Sequence, residues 1–250
     1  MLAIITGTIR PTGQMRQLKL RDESERLKQY EESIRFFLES GAFTKLVFCE
    51  NSNYGTEKLS YLTDIARKKG TELELLSFQG DNEKACLYGK GYGEGEILSH
   101  VFTQSRLVLG EPFFIKVTGR LRVENIKDIV ARIKQDNIYF NIPNRTRRDI
   151  YDTRMYGMPA ALFKELFLNA YPKVRDDEGR ILEKVYTRVL LENNIKVTNF
   201  PRYPRIVGVS GTGGLVYGYT EWKCLIRDLF SQINIYRVKK NAFFNHNSMF

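Results

Sequence analysis

The chain is poor in residues that build metal and nucleophile centres. It holds 3 cysteines and 2 histidines among 250 residues. Cys49, Cys86 and Cys224 are widely spaced and form no C-x-x-C pair, which argues against both a disulfide framework and a zinc site. His100 falls in a helical pattern among apolar neighbours and His246 in the tail, and neither has a partner in the sequence to complete a triad. No apolar run approaches the roughly 18 residues needed to span a bilayer. The apolar start, residues 1–8, is one strand long, too short for the core of a signal peptide. A soluble or peripheral protein of the reducing cytosol is expected.

What the chain does have is a real core and an excess of positive charge. A hydrophobic content of 42% over this length fits one large domain, or one domain with a smaller appendage. The formal charge of +10 points to an acidic partner: nucleotide phosphates, nucleic acid or an anionic membrane surface.

The first half alternates between two periodicities. Apolar runs at 2–6, 45–50 and 72–78 read as strands, and amphipathic patterns at 24–39 and 56–69 read as helices between them. Strand, helix, strand, helix, strand predicts an α/β fold, Rossmann-like, with a mostly parallel central sheet and helices on both faces. Further helices are expected near 95–105 and 125–134, and strands near 113–120, 138–142 and 149–156. Beyond about residue 155 the patterning loosens. A helix at 160–170, a helical segment at 180–193, a strand near 196–200 and a glycine-rich turn at 208–214 precede a long amphipathic helix at 217–240. Trp222, Leu225, Ile226, Leu229, Phe230 and Ile233 share one side of that helix. Such a stripe ordinarily packs on a core, though Arg237, Lys239 and Lys240 after it also suit an anionic membrane. The chain therefore divides into a nucleotide-binding half, 1–155, and an acceptor-side part, 156–250, within one continuous domain.

Two segments carry the functional signal. Gly89, Gly91, Gly93 and Gly95 alternate through residues 89–96, a pattern that lets backbone N–H groups close on an anion, with a helix following. The segment matches neither a P-loop nor a G-x-G-x-x-G fingerprint. The strand at 113–120 ends in Lys116, Thr118, Gly119 and Arg120, delivering two cations to the edge where open α/β sheets bind ligands. Thr8 and Arg10 follow the first strand, and Glu50, Asn51 and Ser52 follow the second, at the same edge. With Lys90, Gly91 and Arg154 they make up the candidate donor-binding set.

The order of these segments, from Ile4-Ile5-Thr6-Gly7-Thr8 through Val47–Ser52, the 89–96 glycines and Lys116–Arg120 to Asp152-Thr153-Arg154, resembles the GT-A glycosyltransferases of bacterial capsule and lipopolysaccharide assembly. The likeness covers about the first 155 residues. It implies a nucleotide-sugar donor, a glycan or lipid-linked acceptor, and a site at the inner face of the membrane or in the cytoplasm. The family's D-x-D motif, which holds a divalent metal on the diphosphate, is absent: Thr118-Gly119-Arg120 stands in its place. A guanidinium can neutralise phosphate bidentately, so a metal-independent reaction is expected, with Asp152 or Asp81 as the residues able to hold Mg²⁺ or Mn²⁺ otherwise.

Sugar transfer needs a group to accept the acceptor's hydroxyl proton, and Asp152 and Glu183 are the candidate catalytic carboxylates. A sugar nucleotidylyltransferase would share the sheet, but its glycine-rich first loop is reduced here to two glycines between residues 7 and 13. A nucleic-acid binder is suggested by the basic run at 144–148, yet no helix-turn-helix, RRM or zinc signature accompanies it, and no nucleic-acid partner is expected.

Overall fold

The computed structural model describes residues 1–12, 20–143, 149–209, 216–235 and 237–246. The elements run β1 (Leu2–Gly7), α1 (Glu23–Ser40), β2 (Lys45–Glu50), α2 (Leu62–Lys68), β3 (Glu72–Ser77), α3 (Asn82–Tyr88), α4 (Lys90–Gln104), β4 (Phe113–Thr118), β5 (Leu121–Val123), α5 (Ile126–Val130), β6 (Ile138–Tyr139) and β7 (Met155–Pro159). There follow α6 (Ala160–Leu162), which runs on into one π turn, α7 (Leu182–Glu192), β8 (Val197–Thr198), β9 (Ile206–Val209), β10 (Val216–Tyr217), α8 (Glu221–Gln232) and α9 (Lys240–His246).

Seven strands form the central sheet in the order β3-β2-β1-β4-β7-β6-β8. The first four are parallel, β7 runs against both its neighbours, and β8 is parallel to β6. Strands from both sides of residue 155 thus belong to one sheet. β1 is buried on both faces, which is why it reads as an unbroken apolar run. Ala3 and Ile5 pack with Ile34 and Phe37 of α1 and Ile126 of α5, while Leu2 and Ile4 share the other layer with Leu98 and Val101 of α4 and Tyr186 of α7. Each of the fully buried Leu, Ile, Val and Phe side chains among these contributes about 1.5–3 kcal/mol by leaving water. A small antiparallel sheet, β10-β9-β5, sits beside the main one.

Several expected elements change shape. The glycine segment is the first two turns of α4, not a ligand-wrapping loop. Glycine weakens a helix by roughly 0.5–1 kcal/mol, and close packing is what selects it here. A Cβ on Gly91 would lie 3.0 Å from the Cβ of Leu182, and one on Gly95 would overlap the Tyr171 side chain. Only Gly89, at φ 101°, needs glycine's backbone freedom, where α3 breaks from α4. The strand expected at 149–156 begins at Met155 and extends to Pro159. The helix expected at 217–240 divides into β10, α8 and α9, and those expected at 125–134 and 160–170 shorten to α5 and to α6 with its π turn. The strands expected at 138–142 and 196–200 keep two ladder residues each. The basic run at 144–148 and most of the 208–214 turn lie outside the described residues.

Candidate functional site

From β1 to β2 to β3 the chain moves across the sheet one way, and β4 then returns to β1's other side. Ligands in open α/β sheets bind at such a reversal, beyond the carboxyl ends of the strands. A cleft of about 180 Å³ opens there, between the end of β1 (Thr6, Gly7, Thr8) and the end of β4 (Thr118, Arg120). Gly119 makes this closure: its N–H donates to the Thr6 carbonyl at 3.0 Å, and a Cβ would collide with that oxygen.

One wall is cationic. Arg26, only 4% exposed, donates from Nε to the Thr8 carbonyl at 2.8 Å, from Nη1 to the Leu20 carbonyl at 3.1 Å, and from Nη2 to the Tyr30 hydroxyl at 3.3 Å. Arg120 donates to Gln29 Oε1 at 3.1 Å and lies over the Tyr30 ring. Burial lowers the Arg120 pKa; Tyr30 opposes that shift, and neighbouring Arg26 adds a smaller push in the lowering direction. Among the described residues neither guanidinium forms an ion pair. Thr8 completes this wall, its hydroxyl donating to Asn51 Oδ1 at 2.7 Å.

The opposite wall is internally matched. Lys116 is wholly buried beneath the cleft and does not line it; its Nζ pairs with Glu94 and donates to Thr118 Oγ1 and the Thr153 carbonyl, both at 2.9 Å. Arg154 lines the cleft, stacked 4.8 Å over Tyr217, and is gripped by Asp152 through two contacts of 3.0 Å from Nε and a third of 2.5 Å from Nη2. Burial opposes the Arg154 charge, but Asp152 more than offsets it and raises the pKa. Lys90, Glu94 and Glu183 also face the cleft. Burial raises the Glu183 carboxyl above the usual carboxylate range.

The structure therefore gathers Thr8, Lys90, Thr118, Arg120, Arg154 and Glu183 around one cleft. The other candidates sit elsewhere. Arg10 is an exposed residue paired with Glu23 at 2.8 Å, and its N–H donates to Ser52 Oγ at 2.9 Å. Glu50 is fully buried, accepting from the Ser52 and Tyr54 N–H groups at 2.7 and 2.9 Å, so it shapes the loop after β2. Asn51 braces Thr8 from behind, and Gly91 packs on Leu182. The start of α4 is faced by Asp176, whose carboxylate interacts with the Lys90 and Gly91 N–H groups. A side chain of the chain itself thus holds the position foreseen there for a ligand anion. Asp152 lies outside the cleft, but on its edge: β7 is antiparallel to β4, so the residues preceding β7 flank the end of β4, and the Thr118 N–H donates to the Arg154 carbonyl at 2.9 Å. Arg26 and Tyr30 escaped the sequence reading because they sit in an ordinary amphipathic helix; their spacing of four, just after the first ligand-side loop, was the available signal.

These residues do not fit a divalent metal. Glu94 is taken by Lys116 and Asp152 by Arg154, and among the described residues no group of three or more His, Cys, Asp or Glu side chains could hold an ion.

No protein family and no curated protein matches the chain in sequence. Among solved structures it is similar to a protein provisionally assigned as a nucleotide-diphospho-sugar transferase from Desulfovibrio desulfuricans G20, with 10% identity, TM-score 0.47, and coverage of 80% of this chain and 78% of that one. A nucleoside-diphosphate-sugar pyrophosphorylase from Vibrio cholerae RC9 aligns at 11% identity and TM-score 0.47, covering 80% of this chain and 91% of its own. HddC from Yersinia pseudotuberculosis aligns at 10% identity and TM-score 0.38, covering 83% and 92%.

Proposed function

We propose that the protein is a glycosyltransferase that moves a sugar from a nucleotide-sugar donor to a glycan or lipid-linked acceptor without a D-x-D metal. The observation that carries this reading is the pair Arg26 and Arg120, one buried and one half-buried cation that form no ion pair among the described residues, at the reversal point of the sheet. A buried charge is costly unless something compensates it, and a donor's phosphates supply that compensation. In the transfer the acceptor hydroxyl oxygen bonds to the anomeric carbon as the bond from that carbon to the donor phosphate breaks. Glu183 takes the hydroxyl proton, and its raised pKa suits a base working nearer neutrality. Charge on the departing phosphate is held by Arg26, Arg120 and Lys90, with Arg154 kept in place by Asp152.

A thermal-shift panel of UDP, GDP, CDP, CMP and dTDP tests the donor assignment, since a ligand that binds only the folded state raises its apparent stability. One nucleotide should raise the midpoint with concentration, and its sugar conjugate should then be consumed in the presence of glycan acceptors. No shift with any nucleotide would overturn the reading. Formation of nucleotide-sugar from a sugar phosphate and a nucleoside triphosphate would replace it with nucleotidyl transfer.

A further inference from the structure

Helix α8 is docked by its polar side. Asp228, 2% exposed, accepts from the Tyr203 N–H at 2.7 Å and pairs with Arg202 and Arg205 at 3.5 and 3.4 Å, with Cys224 and Ser231 buried beside it. Its large apolar residues face outward: Trp222 is 60% exposed, Leu225 57%, Leu229 65% and, just past the helix, Ile233 69%. Ile226 extends the same stripe, so positions i, i+3, i+4, i+7 and i+11 form one continuous ridge. This reverses the core packing expected for that face, except at Phe230, which packs against the core. Contiguous exposed apolar surface of this kind marks an interaction site.

The surrounding charge identifies the occupant. Lys223 within α8 and Arg237, Lys239 and Lys240 shortly after it are exposed, while the carboxylate of Glu221 at the start of α8 is engaged by Arg205 at 3.1 Å. In a symmetric dimer built on this patch the same surface meets itself, bringing these cations against their own copies. An anionic bilayer meets them with opposite charge and takes up an apolar ridge at its interface, where tryptophan is favoured. Among the described residues no helix is long and apolar enough to cross a membrane. We propose that α8 lies on an anionic lipid surface, with Trp222, Leu225, Leu229 and Ile233 in the headgroup region. This holds whatever reaction the cleft performs.

Trp222 is the only tryptophan of the chain, so its fluorescence reports on this ridge alone. The test adds vesicles of phosphatidylglycerol and phosphatidylethanolamine, or of phosphatidylcholine alone, to the full chain and follows emission and co-flotation. A blue shift and flotation with the anionic vesicles, weakened by salt, are expected. The double variant Leu225→Gln/Leu229→Gln should bind those vesicles about tenfold or more weakly, because both leucines lose their burial. Its substitutions are at exposed sites, and an unchanged circular dichroism spectrum and thermal midpoint confirm its fold. Unmoved emission with anionic vesicles would overturn the proposal, as would equal binding to phosphatidylcholine. So would a dimer in sedimentation that the double variant dissociates while wild type ignores vesicles.

Discussion

On one wall of the cleft, Arg26 and Arg120 hold positive charge with only neutral hydrogen-bond acceptors among the described residues; on the other side, Lys116 beneath the cleft is closed by Glu94, and Arg154 by Asp152. Both walls are cationic in sequence, and both cations of the 113–120 strand looked alike there. They differ in whether the fold itself compensates the charge. A matched buried cation is part of the scaffold, since removing its partner leaves an expensive orphan. An unmatched one costs stability and is compensated by something outside the chain.

That contrast can be broken first on the matched side. Glu94→Gln leaves Lys116 buried without its carboxylate, and urea unfolding should show a loss of about 3–5 kcal/mol. A loss near zero would mean that the pair contributes nothing to the scaffold.

Glu183 sharpens the comparison, because its carboxyl faces the cleft and is raised by burial. Glu183→Gln should lower turnover by about 10²-fold, as loss of a general base does. Because burial raises this carboxyl, wild-type activity should fall on the acid side at a pH above that of an ordinary glutamate, and the variant should lack that limb. Stability should move the opposite way. A carboxyl whose folded pKa exceeds its unfolded one binds protons more tightly when folded, so its contribution is favourable at acid pH and lost as pH rises through the folded value. Glu183→Gln should therefore be more stable than wild type at neutral pH, with the gap closing toward acid.

Asp152→Asn removes the partner of Arg154 and should cost about 1–3 kcal/mol of stability, with a smaller loss of turnover than at Glu183. A larger loss of turnover than at Glu183 would make Asp152 the base. The smallest effect is expected from EDTA, which should leave turnover nearly unchanged; complete loss restored by Mn²⁺ would show a metal held by carboxylates such as Asp152 or Asp81.

Much of this arrangement was legible in the residues. The strands β1, β2 and β4 read as apolar runs because they are buried on both faces, and the end of β4 lies beside the cleft at the carboxyl edge of the sheet. The glycines of α4 were not legible as a helix, because what selects them, Leu182 and Tyr171, lies some 80 residues further along and no local pattern shows it. The matching of Lys116 was hidden for the same reason: Glu94 is 22 residues away and meets it only after α4 packs on the sheet. The direction of β7, which brings Asp152 and Arg154 to the edge of the cleft, follows from strand pairing and leaves no mark in periodicity. α8 was legible as an amphipathic helix, but which face turns inward depended on Asp228 finding Tyr203, Arg202 and Arg205.

The most direct test of the unmatched wall compares wild type with Arg120→Ala by calorimetric titration of the nucleotide selected in the thermal-shift panel, with urea unfolding of the same samples. Affinity should fall by about 1.5–3 kcal/mol, the scale of hydrogen bonds to charged groups, while stability is kept or increased, because Arg120 is a largely desolvated cation with no carboxylate partner in the described fold. Unchanged affinity in a folded variant would contradict the assignment of this wall to the donor phosphates.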